Sequence, residues 1–147
     1  MYNKICVAVD GSAFSQAAVK VAAELAKRLD SQLLVIHVIR PMKIPGELQR
    51  YINEDDLTKI RNAALEGVGQ EIIAKAVEIA QNYITEKLQT VILNGDPASS
   101  ILKEAKRQSA DLIVLGTRGL GRVEGAFIGS LSRKVVNISE ISLLIVK

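Results

Sequence analysis

The chain has 147 residues, 48% hydrophobic and 24% charged, a balance that excludes disorder, collagen and coiled coil and points to an ordinary globular domain. The 19 basic and 16 acidic residues leave a net charge of +3, spread along the chain, and aromatic residues make up only 3% with no tryptophan. With no basic stripe and almost no aromatic platform for bases, nucleic acid is not an expected partner.

Cys6 and His37 are the sole cysteine and histidine. That excludes an intramolecular disulfide, a structural zinc site, and a His-dependent serine or cysteine hydrolase unless His37 itself serves. The first apolar run, Ile5–Val9, is too short for a signal-peptide core, and no segment reaches the roughly 18 apolar residues that cross a bilayer. The expectation is a cytoplasmic protein with no membrane partner, a single domain over residues 1–147.

In chain order, five apolar runs rich in Val, Ile and Leu read as strands: Ile5–Val9, Leu33–Ile39, Val91–Leu93, Leu112–Leu115 and Leu143–Val146. They are continuous instead of alternating, as expected of strands covered on both faces. Behind Ser12 as N-cap, Phe14, Ala17, Ala18, Val21, Leu25 and Leu29 predict the buried stripe of a first helix. Pro41–Ile52 reads as a loop. From about residue 55 to 88, Ile60, Ala64, Val68, Ile72, Ala76, Ile79 and Tyr83 keep a helical stripe, with a kink or break expected at Gly67 and Gly69. Asp96-Pro97 is a cap and first residue for a third helix through Ile101, Leu102 and Ala105. Leu131, Val135 and Ile138 predict a last short helix opening near Ser130.

Strict alternation of strands and helices predicts an α/β fold, a doubly wound five-stranded parallel sheet with helices on both faces. Ligands of such sheets bind beyond the carboxyl ends of the strands, where the winding reverses. Asp10-Gly11-Ser12 follows the first strand, and the Asp10 carboxylate is a site candidate on that rule. The richest segment follows the fourth strand, where residues 116–129 carry five of the chain's ten glycines. Gly116 and Gly119 can bring main-chain N–H groups against phosphate oxygens, and Gly129-Ser130 opens a helix whose N-terminus favours an anion. The Ser130 hydroxyl adds a donor, and Arg118 and Arg122 balance charge from the rim. The loop is neither a P-loop nor a dinucleotide fingerprint: no lysine occupies it, and Gly119-Leu120-Gly121 is followed by glycine only at 125. His37 and Cys6 read as buried structural residues, Asp96 as a helix cap, and Asn137-Ile138-Ser139 as a sequon without consequence.

The spacing Gly116-x2-Gly119-x9-Gly129-Ser130 resembles the signature of ATP-binding universal stress proteins, and the resemblance extends over the chain. Ile5-Cys6-Val7-Ala8-Val9-Asp10-Gly11-Ser12, Leu34-Val35-Ile36-His37-Val38, Gly95-Asp96-Pro97-Ala98 and Leu143-Leu144-Ile145-Val146-Lys147 are similar to the family's strands and turns. The resemblance implies a Rossmann-like, adenine nucleotide alpha hydrolase-like fold and a stress-response or regulatory role. It implies that Ala8 and Val38 meet adenine through main-chain atoms and that Asp10 lies near the nucleoside and helps hold Mg²⁺ or Mn²⁺. Gly116, Thr117, Arg118, Gly119, Gly129, Ser130 and Leu131 then hold the ribose and phosphates of ATP, ADP or AMP. It further implies a homodimer through the last strand, where Ser142 departs from the proline common in the family. The competing readings are a slow ATPase, a nucleotide-free interaction module of the same fold, and a phosphoacceptor receiver domain. The last is disfavoured because Gly11 stands where a second carboxylate belongs.

Overall fold

The structure is a computed structural model and describes residues 1–120 and 127–147. Five strands, β1 (Lys4–Ala8), β2 (Gln32–Ile39), β3 (Leu88–Asn94), β4 (Leu112–Gly116) and β5 (Ser142–Val146), form one parallel sheet in the order β3-β2-β1-β4-β5. The helices are α1 (Ala13–Leu29), α2 (Glu54–Ala80), α3 (Pro97–Arg107) and α4 (Ser130–Ile138). The chain starts at β1, winds outward through β2 to β3, then crosses back to β4 and β5. The winding therefore reverses between β1 and β4, where a crevice opens at the strand ends.

Strand alternation divides the core. Ile5, Val7, Leu33, Val35, Leu112 and Val114 face α1 and α2, while Cys6, Ala8, Leu34, Ile36, Ile113 and Leu115 face α3 and α4. Because both faces are covered, consecutive residues are buried and the runs look continuous in sequence.

Four expectations need correction. The buried face of α1 is Ser15, Ala18, Val19, Ala22, Ala23 and Ala26, whereas Val21 and Leu29 are exposed. A helix lying close on a sheet buries its small residues, and its larger apolar side chains spread to the margins. Next, α2 runs unbroken through Gly67 and Gly69. The space beside Gly67 is open, while a Cβ on Gly69 would stand 3.2 Å from His37 Cδ2, so that glycine lets α2 close onto β2. Finally, the loop after β2 holds a short 3₁₀ turn at Leu48–Arg50, and β3 extends beyond Val91–Leu93 because it pairs with β2 along its whole length.

Candidate functional site

A cavity of about 410 Å³ lies at the carboxyl ends of β1, β2 and β4, within the range of small-molecule sites. Strand geometry supplies its floor: Ala8 and Val9 leave β1, Ile36 through Ile39 leave β2, and Leu115 and Gly116 leave β4. Of the residues expected from sequence, Ala8, Asp10, Val38, Gly116, Arg118, Gly119, Gly129, Ser130 and Leu131 all line it. Thr117 does not. Its side chain is buried and its N–H donates to the Val146 carbonyl at 2.8 Å, fastening β4 to β5. Arg122 lies outside the described residues.

Asp10 organises the crevice. Its Oδ1 accepts the Ser12 N–H at 2.9 Å, shaping the turn into α1, and its Oδ2 accepts the Leu120 N–H at 3.0 Å. Gly119 passes so near this carboxylate that a Cβ there would collide with Oδ2. Gly116 is demanded by packing: a Cβ would come within 2.8 Å of the Phe14 main chain, so its absence lets the start of α1 rest on the end of β4. Two main-chain amides near the cavity are already paired. Leu120 N–H is taken by Asp10, and Gly129 N–H by the Thr117 carbonyl.

The first turn of α4 faces the cavity through Ser130, Leu131 and Ser132. Side chains cap the other three helices: Ser12 accepts from Ser15, Asn53 from Asp55, and Asp96 from Ser99. The N-cap of α4 is Gly129, with no side chain to accept, so this turn presents its N–H groups and the positive end of its dipole without a capping oxygen. Ser132 Oγ points back to the Gly116 carbonyl at 2.7 Å and holds α4 against β4.

The remaining walls were not expected from sequence. Pro97 and Ile101 of α3 close the side shared with Ile36 and Val38, while Leu65, Val68 and Ile72 of α2, with Met42, close the opposite side. Val68 and Ile72 belong to the helical stripe of α2. They follow that spacing, but α2 overhangs the sheet, and Val68 remains 56% exposed beside the cavity. His37 also reaches the cavity, with Nδ1 2.8 Å from the Val9 carbonyl. Arg40 and Arg118 add positive charge to a lining that is mainly apolar. Asp96 is a cap as expected, and Ser99 together with Lys134 holds its carboxyl down to about 2.

Comparison with known proteins identifies the family and the fold. The profile of the universal stress protein family matches residues 1–147. Universal stress protein YxiE of Bacillus subtilis is 35% identical over 150 residues, covering 100% of both chains. Among solved structures, UspA from Lactobacillus plantarum superposes with a TM-score of 0.84 at 24% identity, covering 99% of this chain and 98% of that one. The universal stress protein from Archaeoglobus fulgidus in complex with dAMP superposes with a TM-score of 0.67 at 22% identity, covering 99% and 98%. The chain belongs to the universal stress protein family.

Proposed function

We propose that the chain binds an adenine nucleotide, ATP or its ADP and AMP relatives, in the cavity between β1, β2 and β4, and acts as a small cytoplasmic stress-response or regulatory protein. The single observation that carries this reading is the uncapped N-terminus of α4 opening onto an apolar cavity at the reversal of the sheet. The adenine lies in the slot formed by Ala8, Ile36, Val38 and Ile101, and the phosphates lie toward Gly119, Ser130 and Leu131. Arg118 and the Ser130 hydroxyl supply further donors. The Archaeoglobus fulgidus relative in complex with dAMP supports an adenine monophosphate as the common part of the ligand.

A divalent cation suits this site only as a companion of the phosphates. Asp10 is the one carboxylate lining the cavity among the described residues, and no group of three or more His, Cys, Asp or Glu gathers there. Mg²⁺ or Mn²⁺ would therefore take its remaining ligands from phosphate and water, the usual habit of Mg²⁺. With both Asp10 oxygens already accepting main-chain N–H groups, the site favours holding nucleotide over orienting a water for hydrolysis.

The same reading places a homodimer at β5. This strand forms a sheet edge, and its residues Leu143, Leu144, Ile145 and Val146 are only half-buried, with Val136 and Ile138 of α4 exposed nearby in sequence. No helix of the described residues is long and apolar enough to cross a bilayer.

Isothermal titration of the folded chain with ATP and Mg²⁺ tests the proposal. Four charge-assisted contacts at about 1.5–3 kcal/mol each, less desolvation, correspond to micromolar binding. Absence of heat at tens of micromolar protein overturns it.

A further inference from the structure

His37 stands on β2 with its side chain on the α1 and α2 face, opposite the adenine slot of Ile36 and Val38. It is 8% exposed, and its exposed edge belongs to the cavity wall. A carbonyl can only accept, so the 2.8 Å contact with Val9 fixes the proton on Nδ1, which donates. The Val9 N–H pairs with the Ile36 carbonyl at 2.8 Å, so both polar groups of Val9 are held by β2, one through main chain and one through the imidazole. Gly69 of α2 lies on the opposite edge of the ring, where a Cβ would come 3.2 Å from Cδ2. The ring is therefore wedged between α2 and the exit of β1.

The next residue after Val9 is Asp10, whose carboxylate holds the Ser12 and Leu120 N–H groups. A continuous chain of contacts runs from Gly69 through the imidazole and the Val9 carbonyl to Asp10 and the glycine loop. We propose that His37 is a positioning residue: by donating Nδ1–H to Val9 and packing on Gly69, it sets the direction of Asp10 and so holds Gly119 and Leu120 in place for the ligand's phosphate. An apolar side chain of similar bulk fills the same space but leaves the Val9 carbonyl without its donor and the β1 exit free to turn. The phosphate part of the proposal rests on the nucleotide reading above; the loop part does not.

Two measurements on the full chain separate these parts. Amide hydrogen exchange without ligand compares the wild type with His37→Leu and His37→Asn, the asparagine amide nitrogen occupying the place of Nδ1. In His37→Leu, exchange at Leu120 and Ser12 is expected to accelerate about tenfold while Ile113 and Val114 in β4 stay protected. In His37→Asn, protection at Leu120 and Ser12 is expected to return to within about threefold of wild type. Titration with ATP and with adenosine then follows. His37→Leu should weaken ATP about tenfold and leave adenosine within about threefold, while His37→Asn restores ATP binding. Unchanged protection of Leu120 in His37→Leu overturns the proposal, as does equal loss of ATP and adenosine affinity. If wild type binds no ATP yet Leu120 responds as expected, the nucleotide reading fails and the positioning role stands. Should His37→Leu not fold, Gly69→Ala presses the ring from the other side and must accelerate Leu120 exchange in the same way; unchanged exchange overturns the proposal.

Discussion

The Asp10 carboxylate at the exit of β1 accepts the Leu120 N–H at 3.0 Å, a bond between residues 110 positions apart that fastens Leu120 to the turn entering α1. Its other oxygen serves Ser12. One short side chain thus sets both banks of the crevice, and Asp10→Ala removes both acceptors together. Loss of two hydrogen bonds to a charged group is expected to lower stability by about 1–3 kcal/mol and nucleotide affinity by about tenfold. Urea denaturation and calorimetry check this, and wild-type values in both contradict the clamp.

Gly116 and Gly67 give opposite expectations for the same substitution. A Cβ on Gly116 meets the Phe14 main chain at 2.8 Å, where neither backbone yields easily, so Gly116→Ala is expected to cost about 1–3 kcal/mol or more. Gly67 is a helix-interior glycine beside open space, and Gly67→Ala is expected to stabilise by about 0.5–1 kcal/mol. Chemical denaturation of the pair reads both signs directly.

The Cys6 thiol is fully buried among the α3 and α4 core, and that burial pushes its pKa up to about 12. It is therefore protonated and unreactive at neutral pH. A thiol reagent should label the native chain only at the rate at which the core opens, and label it at once in denaturant. Fast labelling of the native chain contradicts the burial of β1.

The sequence pattern carried the sheet because covered strands must be apolar at every position, and five such runs are hard to mistake. It failed on α1 because alanines and larger residues satisfy one helical period equally, and only the distance between helix and sheet decides which face is inside. The glycines divided in the same way. Their spacing marked the right loop, yet Gly116 serves Phe14 and Gly69 serves His37, partners that adjoin them only after the strands are ordered. Thr117 sits between two cavity residues in sequence, but its side chain is buried and its main-chain N–H pairs with the end of β5. The α2 wall was hidden because Val68 and Ile72 obey a core period while the helix outruns the core.

Asp96 offers a charge-linked expectation. The Ser99 N–H and hydroxyl, then Lys134, hold its carboxyl down to about 2 from an ordinary 3.8. A depressed folded value means the stabilisation is complete above the unfolded value and is lost as pH falls through the folded one. The stability difference between wild type and Asp96→Asn, which keeps a capping oxygen without the charge, should be constant near neutrality and shrink from about pH 4 to pH 2. A difference independent of pH contradicts the hold of Ser99 and Lys134 on this carboxylate.

The most direct test of the central claim is a nucleotide titration followed by amide resonances. AMP and ATP are expected to shift the N–H signals of Gly119, Ser130, Leu131 and Ser132 at the mouth of the cavity, with ATP acting more strongly than adenosine at those same amides. Shifts confined to other surfaces, or an α4 first turn indifferent to the number of phosphates, would contradict that claim.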